Sequence, residues 1–288
     1  MRFLIIGGTK FIGPYVVREL IRNGHDVTVF HRGESEADLP SEVRHVRSPL
    51  AAIPVVQFPS EVLHPTPDIV IHMIPMGADD TQAAVDAFHG LAKRLVCLSS
   101  GDVYRAYGVF MGLEPGPIEV GLLNESSPLR STLFPYRAQA KSTSDLAHYY
   151  EKILMEERAA SAAELPATIL RLPKVYGPGN NSDLATVYQF RHQPQWRWTH
   201  GYVENIAHAI VLASLHERAV GRTYNVGEEY TPTVGERLQT LPPSDMPVST
   251  MPANFGQDMA YDTTRIRLEL GYREPVAREE CISRTLAG

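Results

Sequence analysis

Short apolar runs alternate with amphipathic stretches along the first hundred residues. Four of these runs are short enough to be buried strands: residues 3–6, 27–30, 68–72 and 94–98. Two intervening stretches carry apolar residues at helical spacing: residues 14–23 and 81–91. This alternation predicts an α/β fold, a Rossmann-type doubly wound parallel sheet with helices on both faces. Ligands of such sheets bind at the carboxyl ends of the strands.

The pattern continues less regularly to the C-terminus. It predicts three helices, at residues 147–163, 202–215 and 264–270, and two strands, at 167–172 and 223–226. Two stretches rich in proline and turn-forming residues are predicted to form loops instead: residues 101–146 and 228–261.

A glycine-rich segment, Gly7-Gly8-Thr9-Lys10-Phe11-Ile12-Gly13, lies between the first predicted strand and the first predicted helix. A tight turn here lets the backbone approach a pyrophosphate, and the helix N-terminus supplies unpaired N–H groups. Strand, loop and helix in this order are the context that the motif requires. We therefore predict a dinucleotide site. Its predicted contacts in this loop are Gly7, Thr9, Lys10, Phe11, Ile12 and Gly13.

The residues after the second strand indicate which dinucleotide is bound. His31, Arg32 and Gly33 follow Phe30, and no Asp or Glu stands where one would bind the ribose hydroxyls. Arg32 could pair with a 2′-phosphate and stack on adenine. We therefore expect NADP(H) to be favoured over NAD(H), with His31 and Arg32 at the cofactor.

Several further segments occur in an order that is specific as a set. They are residues 68–72, 99–104, 170–179, 201–207, 224–227 and 262–272. With the glycine loop they resemble the extended (atypical) short-chain dehydrogenase/reductases, the NAD-dependent epimerase/dehydratase family. The resemblance implies a cofactor domain over residues 1–179, with 200–227 returning to it. It also implies a smaller C-terminal substrate-binding domain over residues 180–199 and 228–288.

The resemblance also implies hydride transfer assisted by a Ser, a Tyr and a Lys. Ser100 matches the Ser that holds the substrate oxygen, and Lys152 matches the Lys that lowers the Tyr pKa and holds the nicotinamide ribose. Four residues before Lys152 stands His148 instead of Tyr. Three alternatives stay open: Tyr149 or Tyr150 acts as acid and base, His148 replaces them, or the reaction has been lost. Tyr149, three residues before Lys152, is expected to share its helix face.

The remaining predicted contacts complete the two sites. The cofactor is expected to contact Met73, Ser99, Lys152 and Val175 as well. Lys174 and Arg197 are expected to bind a substrate phosphate or carboxylate, with the neighbouring tryptophans stacking on a base or sugar. The predicted substrate is sugar-like, possibly a nucleotide sugar, or another hydroxyl or carbonyl compound, so the activity is that of an epimerase, dehydratase or oxidoreductase.

Bulk composition sets limits on other functions. The net charge of −6 argues against nucleic acid as a partner, because phosphate-backbone binding needs clustered Lys and Arg. No apolar run approaches the length of a membrane span, and the two cysteines indicate neither a disulfide framework nor a zinc site. We expect a cytoplasmic enzyme without a metal, able to form a homodimer. The alternatives are a dinucleotide sensor without turnover and an RNA-associated relative with a similar glycine loop.

Overall fold

The computed structural model describes residues 1–33, 38–50, 53–179 and 182–287. The chain divides into two compact units. Unit 1 comprises Met1–Ser99, Leu133–Arg171 and Ala207–Tyr224, and unit 2 comprises Ser100–Thr132, Leu172–Ile206 and Asn225–Gly288. The predicted cofactor and substrate domains have other bounds, two of which, residues 180 and 288, lie outside the described residues. Their assignment of roles stays a prediction.

The predicted strands and helices occur in the predicted order, with further short elements between them. Up to residue 100 they are β1 (Arg2–Ile6), α1 (Ile12–Arg22), β2 (Asp26–His31), β3 (Arg44–Arg47), α2 (Ser60–Leu63), β4 (Ile69–His72), α3 (Ala78–Phe88) and β5 (Arg94–Ser100). They continue with α4 (Arg105–Phe110), α5 (Leu146–Tyr149), α6 (Lys152–Ala160), β6 (Ala167–Leu172), β7 (Lys174–Tyr176), α7 (Ser182–Gln189), β8 (His200–Tyr202), α8 (Val203–Leu215), β9 (Thr223–Asn225), α9 (Val234–Leu238), α10 (Thr264–Leu270) and α11 (Arg278–Ala287).

The main sheet has the strand order β3-β2-β1-β4-β5-β6-β9. β1 pairs in parallel with both β2 and β4, and β4 pairs in parallel with β5. Strand order reverses at β1, so right-handed crossovers place α1 and α3 on opposite faces of the sheet. The carboxyl ends of β1 and β4 therefore flank the point at which such sheets bind ligands. The predicted fold class is confirmed.

One core layer of unit 1 lies between the sheet and the pair α3 and α6. Alternate residues of the strands point to this face because side chains of a strand alternate between faces. The buried cluster includes, from the strands, Leu4, Ile6, Val70, Leu95 and Cys97, and, from the helices, Ala84, Phe88, Met155 and Ala159. This packing fixes the N-terminal end of α6, where Lys152 stands.

Unit 2 has a smaller framework of its own. β7 and β8 form a two-stranded parallel sheet in which Lys174 is opposite His200. Trp196 is 3% exposed and stacks on Phe110, with ring centroids 4.9 Å apart. Phe190 and Phe255 pack edge-on against the same Trp196 ring. Trp196 is thus part of the core, and the expectation that it stacks on a ligand is wrong.

The predicted helix over residues 147–163 is interrupted. α5 ends at Tyr149, and Tyr150 and Glu151 have extended backbones. The Glu151 N–H donates to the Met76 carbonyl at 2.7 Å, and its carboxylate accepts the Ile153 N–H at 2.8 Å, capping α6. A continuous helix would use neither contact. The expectation that Tyr149 and Lys152 share one helix face is therefore wrong.

Several short elements arise where loops or no elements were expected. α4 lies within residues 101–146, and every residue from Ala106 to Phe110 is buried, so no amphipathic pattern marks it. α9 lies within residues 228–261 and carries a capping box in which Thr233 and Glu236 bond each other's backbone. In β3, Val46 is the single buried residue, which leaves no apolar alternation to detect.

Candidate functional site

The glycine loop of unit 1 brings two stretches of backbone together. A Cβ on Gly8 would lie 2.7 Å from Cγ2 of Ile5, and a Cβ on Gly13 would overlap the backbone of Gly8. Gly8 also has a φ of 91°, a conformation that glycine adopts without strain. The Gly7 N–H donates to the Phe30 carbonyl at 2.8 Å, which ties the loop to β2. Both glycines are therefore required by the path of the chain.

The start of α1 fits an anionic ligand. Phe11, the N-cap residue, makes no capping bond with its side chain, and the first turn of α1 contains no acidic residue. The first N–H groups of a helix have no partner within it, and the helix dipole is positive there. Phe11, directly before α1, has a φ of 46°, which strains a non-glycine residue, and such strain is concentrated at ligand sites. The residues present thus fit a dinucleotide diphosphate.

The ends of β2 and β3 carry a group of basic side chains. The His31 ring nitrogens bond the Gly33 N–H at 3.2 Å and the His45 ring at 3.1 Å. A Cβ on Gly33 would lie 3.4 Å from Cδ of Arg47, so Arg47 runs beside the turn that begins with the half-buried Arg32. Sequence reasoning missed His45 and Arg47 because it did not identify β3.

Lys152 is buried at the start of α6, with 6% of its surface exposed. Its ammonium donates to the carbonyl of Pro75, just after β4, and to that of Leu98 in β5 at 3.0 Å. It also lies 5.3 Å from the centroid of the Tyr150 ring, within cation–π range. Lys152 therefore links the carboxyl ends of β4 and β5, and it lies beside Tyr150, one of the two candidate tyrosines.

The other aromatic candidates have different surroundings. Tyr149 is 38% exposed and packs edge-on against His148, with centroids 5.3 Å apart. Tyr150 is half-buried and packs against Tyr136, with centroids 5.2 Å apart. The structure thus brings Tyr150 to Lys152 and turns Tyr149 toward the surface beside His148.

A buried polar network joins β5, α6 and β6. Ser99 donates to Glu156 Oε1 at 2.6 Å, and Arg171 donates to the same carboxylate through Nε at 2.9 Å and Nη2 at 2.7 Å. All three residues are at most 6% exposed. The Glu156–Arg171 pair was not identified from the sequence, although Glu156 stands one helical turn after Lys152. The Ser99 hydroxyl, predicted to contact the cofactor, donates to this network.

Two further titratable groups are buried near Lys152. His72 at the end of β4 is fully buried, and neither ring nitrogen has a hydrogen-bond partner among the described residues. Burial, assisted by the Lys152 charge, lowers the pKa of His72 to about 3. Burial raises the pKa of Asp80, opposed by hydrogen bonds from the Met76 and Gly77 N–H groups. His72 is therefore neutral at pH 7.

The other predicted residues fall in unit 2 or beside the glycine loop. Ser100 accepts the Asp102 N–H at 3.4 Å and caps a short 3-10 turn.

The Lys174 ammonium lies 4.6 Å from the centroid of the half-buried Trp198 ring. The Arg197 guanidinium lies 5.9 Å from the centroid of the Tyr230 ring. Val175 is buried in β7, and Met73 lies against Gly7 in unit 1.

Comparison with known families decides the family of the chain. The model of the NAD dependent epimerase/dehydratase family matches residues 3–227. The chain belongs to this family. The predicted family is thus confirmed, and so is the class of function, that of an NAD-dependent epimerase/dehydratase-family enzyme.

Solved structures with the same fold match this epimerase/dehydratase-family chain over its whole length. A UDP-glucose 4-epimerase from Thermotoga maritima, determined with UDP-glucose, has a TM-score of 0.72 and 19% identity, covering 100% of this chain and 98% of the other. The Thermus thermophilus UDP-glucose 4-epimerase in complex with NAD has a TM-score of 0.70 and 20% identity, with coverage of 100% and 98%. At these identities the likeness shows the fold.

A curated relative matches over a shorter stretch. The chloroplast stem-loop binding protein of 41 kDa b from Arabidopsis thaliana is 28% identical over 113 residues, which are 35% of this chain and 29% of that protein. The similarity thus spans less than a third of the relative's length.

The described residues include neither a membrane-spanning helix nor a cluster of metal ligands. No helix among them is both long and apolar enough to cross a membrane. No group of three or more His, Cys, Asp or Glu side chains in the same part of the chain could hold a metal ion.

Proposed function

We propose that this protein binds a nicotinamide dinucleotide on the Gly7–Gly13 loop and catalyses hydride transfer at a hydroxyl or carbonyl group of a sugar-like substrate. The observation that carries the proposal is the backbone contact between Gly8 and Gly13 in front of an uncapped helix. It leaves room for a diphosphate against peptide N–H groups. The nicotinamide, when bound, accepts and returns the hydride.

NADP(H) is the proposed preference. Arg32 and Arg47 both lie beside Gly33, at the ends of β2 and β3, and Lys10 is exposed on the glycine loop. Guanidinium groups bind phosphate with charge-assisted hydrogen bonds, and a 2′-phosphate is what distinguishes NADP from NAD at this strand end. Arg32→Ala is expected to lower NADPH affinity about tenfold and to leave NADH affinity within about twofold, measured by titration calorimetry. An equal loss for both nucleotides would contradict the preference.

Tyr150 and Lys152 are the proposed proton-transfer pair. A free Tyr has a pKa of about 10 and is a poor base near pH 7, so a neighbouring ammonium is needed to stabilise the phenolate. Lys152 lies beside the Tyr150 ring, and its bonds to Pro75 and Leu98 hold it in place. Ser100 is proposed to hold the substrate oxygen. Tyr149 and His148 are the less favoured alternatives.

The substrate class is proposed from unit 2. Lys174 beside Trp198 combines a cation with an aromatic face, and Arg197 adds a second cation. Such groups suit the phosphates and the base of a nucleotide sugar. The two epimerases with the same fold are described as UDP-glucose 4-epimerases. We also keep the predicted cofactor and substrate domains and a homodimer as proposals.

Thermal scanning followed by turnover assays tests the proposed function. NADP⁺, NADPH, NAD⁺ and NADH are each added at about 1 mM, and a rise in Tm is expected for the nucleotide that binds. UDP-glucose and UDP-glucuronic acid are then assayed with that nucleotide. Binding without turnover on any sugar nucleotide, alcohol or ketone would favour the alternative of a dinucleotide sensor.

RNA binding is the second candidate function. Local similarity to the chloroplast stem-loop binding protein favours it. The net charge of −6 opposes it, since affinity for a phosphate backbone depends on released counterions around clustered cations. A gel-shift assay with a stem-loop RNA at about 50 and 200 mM salt tests this candidate function. A complex at the lower salt concentration that weakens steeply at the higher one would support RNA binding.

A further inference from the structure

Unit 2 contains a cavity that none of the proposed functional residues lines. Its volume is about 350 Å³, which lies in the range of small-molecule sites. Part of its wall is aromatic: Tyr176 lies 5.7 Å from Tyr202 and 6.3 Å from His200, measured between ring centroids. The start of α11, including Arg278 and Cys281, forms another side.

Two of the three carboxylates in the wall are held by arginines just behind it. Glu228 accepts from Arg237 and from the His200 N–H at 2.9 Å. Glu274 accepts from two nitrogens of Arg267, at 2.8 and 2.9 Å. The third carboxylate, Glu229, is largely exposed at the rim, 4.0 Å from the same guanidinium. Two of the three negative charges of this wall are therefore paired before any ligand enters, and the third lies at the rim, exposed to solvent.

Arg278 is the one arginine among the described residues that line the cavity. It lines the cavity and is half-buried, yet no hydrogen bond or ion pair involves its side chain within the described part of the chain. Its charge is close enough to lower the pKa values of Tyr176 and Glu228, although burial raises both on balance. A partly buried guanidinium without a partner forgoes strong charge-assisted hydrogen bonds, which an anionic occupant would restore.

The remaining wall is neutral. Cys281 is 1% exposed, and burial raises the pKa of its thiol to about 12. Burial also raises the pKa values of the Tyr176 and Tyr272 hydroxyls, so these groups carry no charge at pH 7. One cation beside neutral aromatic rings suits a ligand with an anionic group on a planar ring.

We propose that this cavity binds a small aromatic or heterocyclic carboxylate, with the carboxylate on Arg278 and the ring against Tyr176 and Tyr202. The wall supplies both groups that such a ligand needs, a guanidinium and aromatic rings. The proposal is independent of the dinucleotide site, because none of the lining residues is assigned to cofactor, substrate or proton transfer above.

Titration calorimetry with 4-hydroxybenzoate and its neutral isostere 4-hydroxybenzamide tests the proposal on the full chain, with and without NADPH. The carboxylate is expected to bind the wild type about tenfold or more tightly than the amide, the effect of one hydrogen-bonded ion pair. Arg278→Gln is expected to abolish this difference, while Arg278→Lys retains part of it. Arg284→Gln, on the same helix and bonded outward to Glu204 and Glu280, serves as the control.

The outcomes are separable from those of the dinucleotide proposal. Equal affinity of the wild type for the two probes, or no heat from either, would overturn the assignment even if Arg278→Gln failed to fold. Retention of the difference in Arg278→Gln would show that the carboxylate binds elsewhere, which also overturns it. Phenyl phosphate in a third arm replaces the carboxylate by a phosphate, and binding tighter than that of 4-hydroxybenzoate would overturn the choice of a carboxylate.

Discussion

The glycine loop and the segment from His148 to Lys152 both belong to unit 1, but they relate differently to their family. The loop keeps the glycines that bring Gly8 and Gly13 into backbone contact. The second segment breaks between α5 and α6, and Lys152 follows an extended pair of residues. The difference teaches that the proposed cofactor site rests on backbone geometry. The proposed proton-transfer site depends instead on long-range contacts that hold the Lys152 ammonium beside the Tyr150 ring.

The largest effect is expected from a substitution that disrupts the glycine loop and leaves the rest of unit 1 unchanged. Gly13→Val places a side chain where the backbone of Gly8 lies, so NADPH affinity is expected to fall on the order of 100-fold or more, through lost hydrogen bonds to a charged group. Equilibrium dialysis measures it. Gly24→Ala is the control at the other end of α1: its φ of 75° strains the fold by about 1–2 kcal/mol, but open space surrounds it. Unchanged affinity in Gly13→Val would contradict the account.

The second segment is tested by removing one hydroxyl at a time. Tyr150→Phe is expected to lower kcat about 100- to 10,000-fold, the range of a general acid–base group, without changing Tm or NADPH affinity. Tyr149→Phe, whose ring is more exposed and lies beside His148, is expected to retain kcat within about threefold. A larger loss in Tyr149→Phe would reverse the assignment.

The network behind Lys152 gives a stability test. Glu156→Gln leaves the buried Arg171 without its charge partner, and removing one member of a buried pair costs about 3–5 kcal/mol of the free energy of unfolding. Urea unfolding measures the change. Glu157→Gln, one residue further along and exposed, is expected to stay within about 0.5 kcal/mol of the wild type. Equal stabilities would show that the network does not hold α6 on the sheet.

A smaller effect is expected from His72. Its pKa in the folded state is about 3, against an ordinary value of 6.5, so below pH 6.5 the unfolded chain binds a proton that the folded chain does not. Its share of stability is fully present above pH 6.5 and falls by about 2 kcal/mol by pH 5. The difference between wild type and His72→Leu in urea unfolding at pH 7 and pH 5 isolates this contribution. Equal pH dependence in the two proteins would show that His72 has the same pKa in the folded and unfolded chains, which would contradict the prediction.

Many strands and helices could be predicted from the local pattern of apolar residues. The predicted strand at residues 167–172 and helix at 264–270 coincide with β6 and α10, because apolar periodicity and a terminal glycine mark them. β3 was not predicted, because a strand with a single buried residue shows no apolar alternation. α9 could have been predicted, because Thr233 and Glu236 stand three residues apart, as a capping box requires.

The candidate site was predictable where the backbone alone decides it. Gly7, Gly8 and Gly13 lie within one short segment, so the local sequence alone specifies the turn that they form. The break before Lys152 depends on Glu151 bonding Met76, which lies far earlier in the chain and outside any local window. The pairing of Glu156 with Arg171 likewise joins a helix to a strand that follows it, and neither residue signals its partner.

Amide hydrogen exchange across residues 8–12, with and without saturating NADPH, tests the central claim most directly. The account predicts slower exchange of these amides when NADPH is bound, because the peptide N–H groups at the start of α1 donate to the diphosphate. Binding of NADPH that protects other segments and leaves residues 8–12 unchanged would contradict it.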